Sequence, residues 1–221
     1  MCGRFTLRSP LGLLVEQFMV EPVANLQQAI RYNIAPTQEV PVVRLNEGGR
    51  ELTKMRWGLI PSWAKDTKIA YGTINARADT VATKPAFRSA YKKRRCLVVA
   101  DGYYEWKTEG KAKIPLLYEI DGGKPFAFAG LWEQWWGPVH QSETPLESCT
   151  IITTEANLLA REVHDRMPVI LSPNDYDAWL NDENQDVAYL LDQFPEDRMS
   201  VRPVSTYVNN ARHEGPECIA T

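Results

Sequence analysis

Short apolar runs closed by turn residues constrain this chain most. Cys96 to Ala100, Ile114 to Ile120, Phe126 to Leu131, Cys149 to Thr153 and Val169 to Leu171 are rich in β-branched and aromatic residues. Each is too short for a core helix and reads as a core strand. Val40 to Leu45 and Glu51 to Trp57 flank Asn46-Glu47-Gly48-Gly49, a hairpin pattern. Pro41 has no N–H to give to a ladder, which marks the first of these strands as an edge. Helical spacing is rarer. Ser9 is placed to cap a helix with Pro10 at its first position, and Leu11, Leu14, Val15 and Phe18 then share one face. Glu155 to Val163, Ser172-Pro173 to Leu180, and Asp186 to Gln193 read as further helices. Strands outnumber helices and do not alternate regularly with them. That pattern predicts an α+β fold with a largely antiparallel, barrel-like β core and peripheral helices. The fifteen prolines are scattered, marking many short connections, so residues 1–221 are expected to form a single domain.

The remaining composition excludes several classes. No apolar run approaches the ~20 residues that span a bilayer, and the start Met1-Cys2-Gly3-Arg4-Phe5 lacks a signal peptide's apolar stretch. A cytoplasmic location is expected, nucleoid-associated if the source is a bacterium. The four cysteines contain no Cys-x-x-Cys pair, so zinc spacing is absent and neither a metal nor a cofactor is expected. Cys96 and Cys149 read as small buried hydrophobes. The net charge of −3 argues against a nonspecific coater of nucleic acid. It leaves room for a local basic groove drawn from Arg77, Arg88, Arg161, Arg166 and the run Lys92 to Arg95. That run reads equally as a solvated edge.

Cys2 stands apart from the other cysteines. An initiator methionine is normally removed ahead of a small residue, and removal would place an α-amine and a thiol on adjacent carbons. Reference pKa values of about 7.7–8.0 and about 8.5 leave roughly a tenth of the amine uncharged at neutral pH. Both groups can attack one aldehyde: the amine forms a Schiff base, and the thiol closes a five-membered thiazolidine. An internal cysteine, whose nitrogen is an amide, cannot do this.

Six ordered blocks extend the reading. Met1 to Phe5, Arg31-Tyr32-Asn33-Ile34-Ala35-Pro36-Thr37 and Trp57-Gly58-Leu59-Ile60-Pro61 are followed by Ile74-Asn75-Ala76-Arg77-Ala78-Asp79-Thr80, Asp101-Gly102-Tyr103-Tyr104-Glu105-Trp106 and His164-Asp165-Arg166-Met167-Pro168. Together with Val208-Asn209-Asn210 they resemble the SRAP (SOS response-associated peptidase) family over essentially the whole chain. The resemblance implies a sensor of abasic sites in single-stranded DNA. Such a protein forms a thiazolidine crosslink through its N-terminal cysteine, shielding the lesion, with possible lyase activity and autoproteolytic N-terminal processing. No membrane is implied, and a monomer is expected.

The resemblance also implies roles. Glu105, among aromatics, suits a general acid/base with a raised pKa, though by itself it reads also as a strand carboxylate. His164 assists ring opening and Schiff-base chemistry. Asn75 orients the sugar without competing as a nucleophile. Arg77 and Arg166 contact phosphates, with Arg4 as a third candidate. Thr153 lies near the site or serves only as a strand residue. Trp63 stacks a base or wedges beside the lesion, while Trp57 reads as core. His140 and His213 read as solvated surface residues. Ala64 and Pro85 replace an aromatic and a basic residue found in some members, which bears on the grip on flanking DNA. Two other functions fit the same residues: a cysteine hydrolase using Cys2, His164 and Glu105, and a noncatalytic reader of damaged DNA using Trp63, Asn75 and the arginines.

Overall fold

The computed structural model describes residues 2–137 and 142–221. Strands β1 (Phe5–Leu7), β2 (Glu21–Pro22), β3 (Arg31–Ile34), β4 (Glu39–Asn46), β5 (Gly49–Trp57), β6 (Asn75–Arg77) and β7 (Arg95–Ala100) come first. Then follow β8 (Gly102–Glu109), β9 (Ala112–Ile120), β10 (Phe126–Trp135), β11 (Leu146–Glu155), β12 (Arg166–Pro168), β13 (Ile170–Leu171) and β14 (Met199–Pro203). The α-helices are short: α1 (Leu11–Phe18), α2 (Arg88–Lys93), α3 (Leu158–Arg161) and α4 (Tyr176–Leu180). One sheet has the order β14-β9-β8-β1-β3. The other runs β12-β11-β10-β7-β4-β5-β2, with β6 on β11 and β13 on β10. Only β2–β5, β11–β5 and β11–β6 pair in parallel among the described residues. The expected α+β class with antiparallel bias is the observed one.

Both sheets contribute to one core. Phe5 meets Trp57 edge-on at 5.1 Å and Phe128 at 5.9 Å, and Tyr103 meets Phe128 at 6.2 Å. These rings join β1 and β8 of the first sheet to β5 and β10 of the second, burying large apolar surfaces at favoured aromatic geometries. Among the described residues, no helix is long and apolar enough to cross a membrane.

Several sequence expectations shift. The hairpin is present, with β4 and β5 paired from Glu39↔Arg56 to Asn46↔Gly49. Pro41, however, is not on an edge, because β4 lies between β5 and β7. The proline is tolerated because β7 pairs with β4 only at Val42 and Val43, so no ladder bond is missing at 41. Ser9 does not cap α1. Pro10 precedes the helix in extended backbone, and the Ser9 hydroxyl donates to Asp101 Oδ2 at 2.9 Å instead. The helix expected from Glu155 starts at Leu158, since Glu155 still belongs to β11; Asn157 caps it, its Oδ1 accepting from Ala160 N at 2.9 Å. Asp186 to Gln193 holds only a 3-10 turn at Ala188–Leu190. The α4 segment opens with a 3-10 turn at Pro173–Asp175.

Gly58, inside the Trp57–Pro61 block, has φ +119°, and a Cβ there would lie 2.7 Å from the Ala70 carbonyl oxygen. Glycine is required on both counts. Gly58→Ala should lower the unfolding free energy by about 2 kcal/mol or more, the scale of a strained backbone position plus a forced contact. A urea midpoint matching that of wild type would contradict this.

Candidate functional site

The N-terminal arm is placed by β1, whose ladder to β8 pairs Phe5 with Tyr103 and Thr6 with Gly102. Tyr104 N continues it by donating to Arg4 O at 3.0 Å. Followed toward the chain start, this register leads the arm along β8 to Glu105. Cys2 lies there fully buried, at 0% exposure, in the main core. Its thiol is pushed far above the ordinary range, first by burial and then by the Glu105 charge. The Glu105 carboxyl is itself pushed up to about 7, chiefly by burial. Tyr103 and Tyr118 stack beside the pair at 4.8 Å. The Tyr118 phenol is pushed up to about 12 by burial and by the charges of Glu105 and Glu162. Tyr118 is thus near enough to Glu105 and to Glu162 for both charges to act on it. Nothing in the sequence marks Tyr118; only the Tyr103↔Tyr118 register reveals it.

A second group gathers on the far half of β11. Parallel pairing with β6 sets Ile151 against Asn75 and Thr153 against Arg77, while antiparallel pairing with β12 sets Thr153 against Pro168. Arg166, buried, donates from Nε to Thr153 Oγ1 at 3.3 Å and from Nη2 to Thr153 O. Burial lowers its pKa, and the neighbouring Arg77 charge lowers it further. Arg77 is exposed and makes a forked ion pair with Asp79 at 3.1 and 2.7 Å. Asn75 Nδ2 donates to Ile74 O at 3.0 Å, while its Oδ1 is buried with no hydrogen-bond partner among the described residues. Trp57, buried as expected, donates from Nε1 to the same Ile74 carbonyl at 2.9 Å and so steadies the segment before Asn75.

His164 is half-buried. Its Nδ1 accepts from Arg166 N at 3.0 Å and lies 2.7 Å from Asp165 Oδ1. Nδ1 thus faces a donor and an acceptor at once: an unprotonated Nδ1 suits the Arg166 amide and a protonated one suits Asp165, so the ring's proton placement follows its charge state. Its pKa is lowered, first by burial. The first group thus offers a nucleophile-bearing arm and a carboxyl poised near neutrality, and the second an imidazole and two guanidinium groups.

Other expected residues lie elsewhere. The Arg4 guanidinium is taken up inside the protein: it donates to Asn33 Oδ1 at 2.7 Å and Val208 O at 3.0 Å, and lies 5.6 Å over the Trp106 ring. Trp63 is 60% exposed, on a loop held where Trp135 Nε1 donates to Ala64 O at 2.8 Å. The Lys92 to Arg95 run is not one charged edge. Arg95 is buried and donates to Tyr91 O at 2.9 Å and Asn184 O at 2.8 Å, and Arg94 pairs with Glu133 at 2.7 Å. His213 lies at the surface as expected, stacked on Tyr207 at 3.9 Å and 2.7 Å from Tyr207 O through Nδ1. His140 lies outside the described residues.

Residues 1–211 match the family described as SOS response associated peptidase (SRAP). This chain belongs to the SRAP family. It is 43% identical to the abasic site processing protein YoqW of Bacillus subtilis (strain 168), the match covering 99% of each chain. It is 30% identical to the abasic site processing protein YedK of Escherichia coli (strain K12), again over 99% of each. A crystal structure of a protein from Bacteroides thetaiotaomicron aligns with a TM-score of 0.86 at 26% identity, covering 99% of this chain and 98% of that one. Four of the six sequence blocks supply residues to the two groups described above.

Glu105 links this site to stability. Its carboxyl ordinarily titrates near 4.5 and here near 7. Between those values the unfolded chain releases the proton and the folded protein keeps it, so stability falls as pH rises through the window. Wild type should therefore lose stability from about pH 4.5 to about pH 7 relative to Glu105→Gln, with the gap constant above that range. Urea unfolding of both proteins at several pH values checks this; parallel curves would exclude a raised Glu105 pKa.

Proposed function

We propose that this protein senses abasic sites in single-stranded DNA and captures them covalently through Cys2 once Met1 has been removed. The observation that carries the reading is Cys2 set against the buried Glu105 carboxyl. An opened abasic sugar offers an aldehyde. The Cys2 amine adds to its carbon, and Glu105, half-protonated near neutrality, protonates the departing hydroxyl so that water leaves and an imine remains. The thiol then adds across the C=N bond: sulfur bonds to carbon, and its proton ends on nitrogen. One water is released overall, and the product is a thiazolidine.

The raised thiol pKa supports an amine-first order. A hydrolase needs a thiolate to start, and burial beside Glu105 opposes that form. A neutral thiol closing a ring on an imine already formed does not face this obstacle. In this reading His164, through Nε2–H, donates to the sugar ring oxygen as it opens. Asn75 Oδ1, an acceptor without a partner among the described residues, takes a sugar hydroxyl. Arg77 and Arg166 hold phosphates on either side of Thr153. Trp63 stacks a neighbouring base. Arg4 holds the arm rather than DNA. The names of the SRAP relatives, abasic site processing proteins, agree with this reading. Strand-cleaving lyase chemistry would start from the same imine, and N-terminal processing remains the step that exposes the amine.

The test is intact mass of the processed protein after incubation with an abasic single strand. A covalent adduct, lighter than the sum of its parts by one water, is expected. Cys2→Ala should give no stable adduct. Cys2→Ser should give only an imine that borohydride must trap. Full crosslinking by the alanine variant, or none by processed wild type, would sink the proposal.

A further inference from the structure

We infer that Asp101 is a positioning residue for the N-terminal nucleophile; this rests on the proposed crosslinking function and adds a residue to it. Asp101 sits at the corner between β7 and β8, four positions before Glu105. Its carboxylate is buried and accepts five hydrogen bonds, all from residues 6–9. Thr6 Oγ1 donates at 2.7 Å and Arg8 Nε at 3.1 Å to Oδ1; Arg8 N at 2.5 Å, Ser9 N at 2.8 Å and Ser9 Oγ at 2.9 Å donate to Oδ2. In return, Asp101 N donates to Thr6 O at 2.9 Å. Arg8 extends the clamp, donating through Nη2 to Asp101 O at 3.2 Å and to Glu119 Oε1 at 2.7 Å.

The arrangement exceeds what strand pairing needs. β1 has three residues, and only two of them register with β8. β3 pairs on the other side of β1 at Phe5 and Leu7, with a register shift between them, so neither short ladder alone fixes how far the arm reaches. Asp101 removes that freedom from the side opposite Cys2. It fixes Thr6, and through the Phe5↔Tyr103 pair it fixes how far the arm reaches along β8. The two reacting groups of Cys2 then arrive at Glu105 in one position. A misplacement of about 1 Å in such a geometry costs on the order of a hundredfold in rate. Nothing in this places Asp101 in contact with the sugar; it acts through the arm.

The experiment is single-turnover crosslinking of the processed full chain with an abasic single strand, followed to completion over a range of strand concentrations. Asp101→Asn puts an amide N–H against donors, so it should slow the limiting rate constant ten- to a hundredfold. The half-saturating strand concentration should stay within about threefold of wild type, because the phosphate-binding arginines are untouched. Thr6→Val deletes one donor with little change of shape, and a three- to tenfold slowing is expected. Urea unfolding of each variant under the assay conditions separates positioning from folding, since a variant that is fully folded there cannot owe a slower limiting rate to unfolded protein. If Asp101→Asn does not fold, Thr6→Val decides alone. Wild-type limiting rates in the folded variants would overturn the inference while leaving the crosslinking function standing. Absence of any adduct with wild type would instead remove the function itself.

Discussion

Pairing between β1 and β8 joins a chain end to the strand carrying Glu105, and the rest of the site is arranged around that junction. A free end is an entropically expensive place to hold a reactive group, since ordering each residue costs about 1–2 kcal/mol. Here the cost is offset at several points. Phe5 enters the core against Trp57 and Phe128. Thr6, Arg8 and Ser9 meet one carboxylate. Arg4 reaches across to Asn33 and the Val208 carbonyl, tying the arm to the C-terminal segment. The two ends of the chain and the β7–β8 corner therefore form one locked unit, with Cys2 at its margin.

Burial does opposite things to the groups at that margin, and the opposition orders the chemistry. It lifts Glu105 to about 7, where a carboxyl both gives and takes protons in neutral solution. It lifts the Cys2 thiol out of the range where a thiolate forms. It lowers the pKa of His164, which favours the neutral imidazole. A site tuned this way favours addition by an amine and general acid catalysis over attack by a thiolate. The stacked rings of Tyr103 and Tyr118 give the wall its low polarity.

The strand cores were legible in sequence because apolar runs bounded by turns keep their meaning whatever packs against them. Cys96 to Ala100 and Cys149 to Thr153 lie within β7 and β11. The short strands were not legible. β1, β6 and β12 have three residues each, below any period that a pattern can establish, and they exist only because longer neighbours pair with them. Ser9 shows the same limit. A serine before Pro-Leu has the local form of a cap, but a buried carboxylate distant in sequence captured its hydroxyl. Arginines were the least legible residues. Arg4, Arg95 and Arg166 are alike in sequence, yet the first grips the C-terminal segment, the second braces α4, and the third stands beside Thr153. Charge composition says how many cations exist; only the fold says which of them face outward.

That distinction also bears on the proposed function, which asks an acidic chain to attract nucleic acid. The net charge of −3 sums over the whole surface, whereas attraction of a phosphate is decided within about a Debye length, roughly 8–10 Å. Arg77 is exposed and, among the described residues, its guanidinium is bound to Asp79 alone, a solvent-screened surface ion pair of small worth. A phosphate can displace that carboxylate at little cost and receive the same forked donors. Arg166 differs: its guanidinium is already oriented by the Thr153 hydroxyl and carbonyl, so less freedom remains to be lost when an anion arrives. On the proposed function, one arginine captures the strand through mobility and exchange while the other fixes its register against β11. The two tasks need different surroundings for the same side chain, and Thr153, between them in the sheet, is where the backbone supplies both.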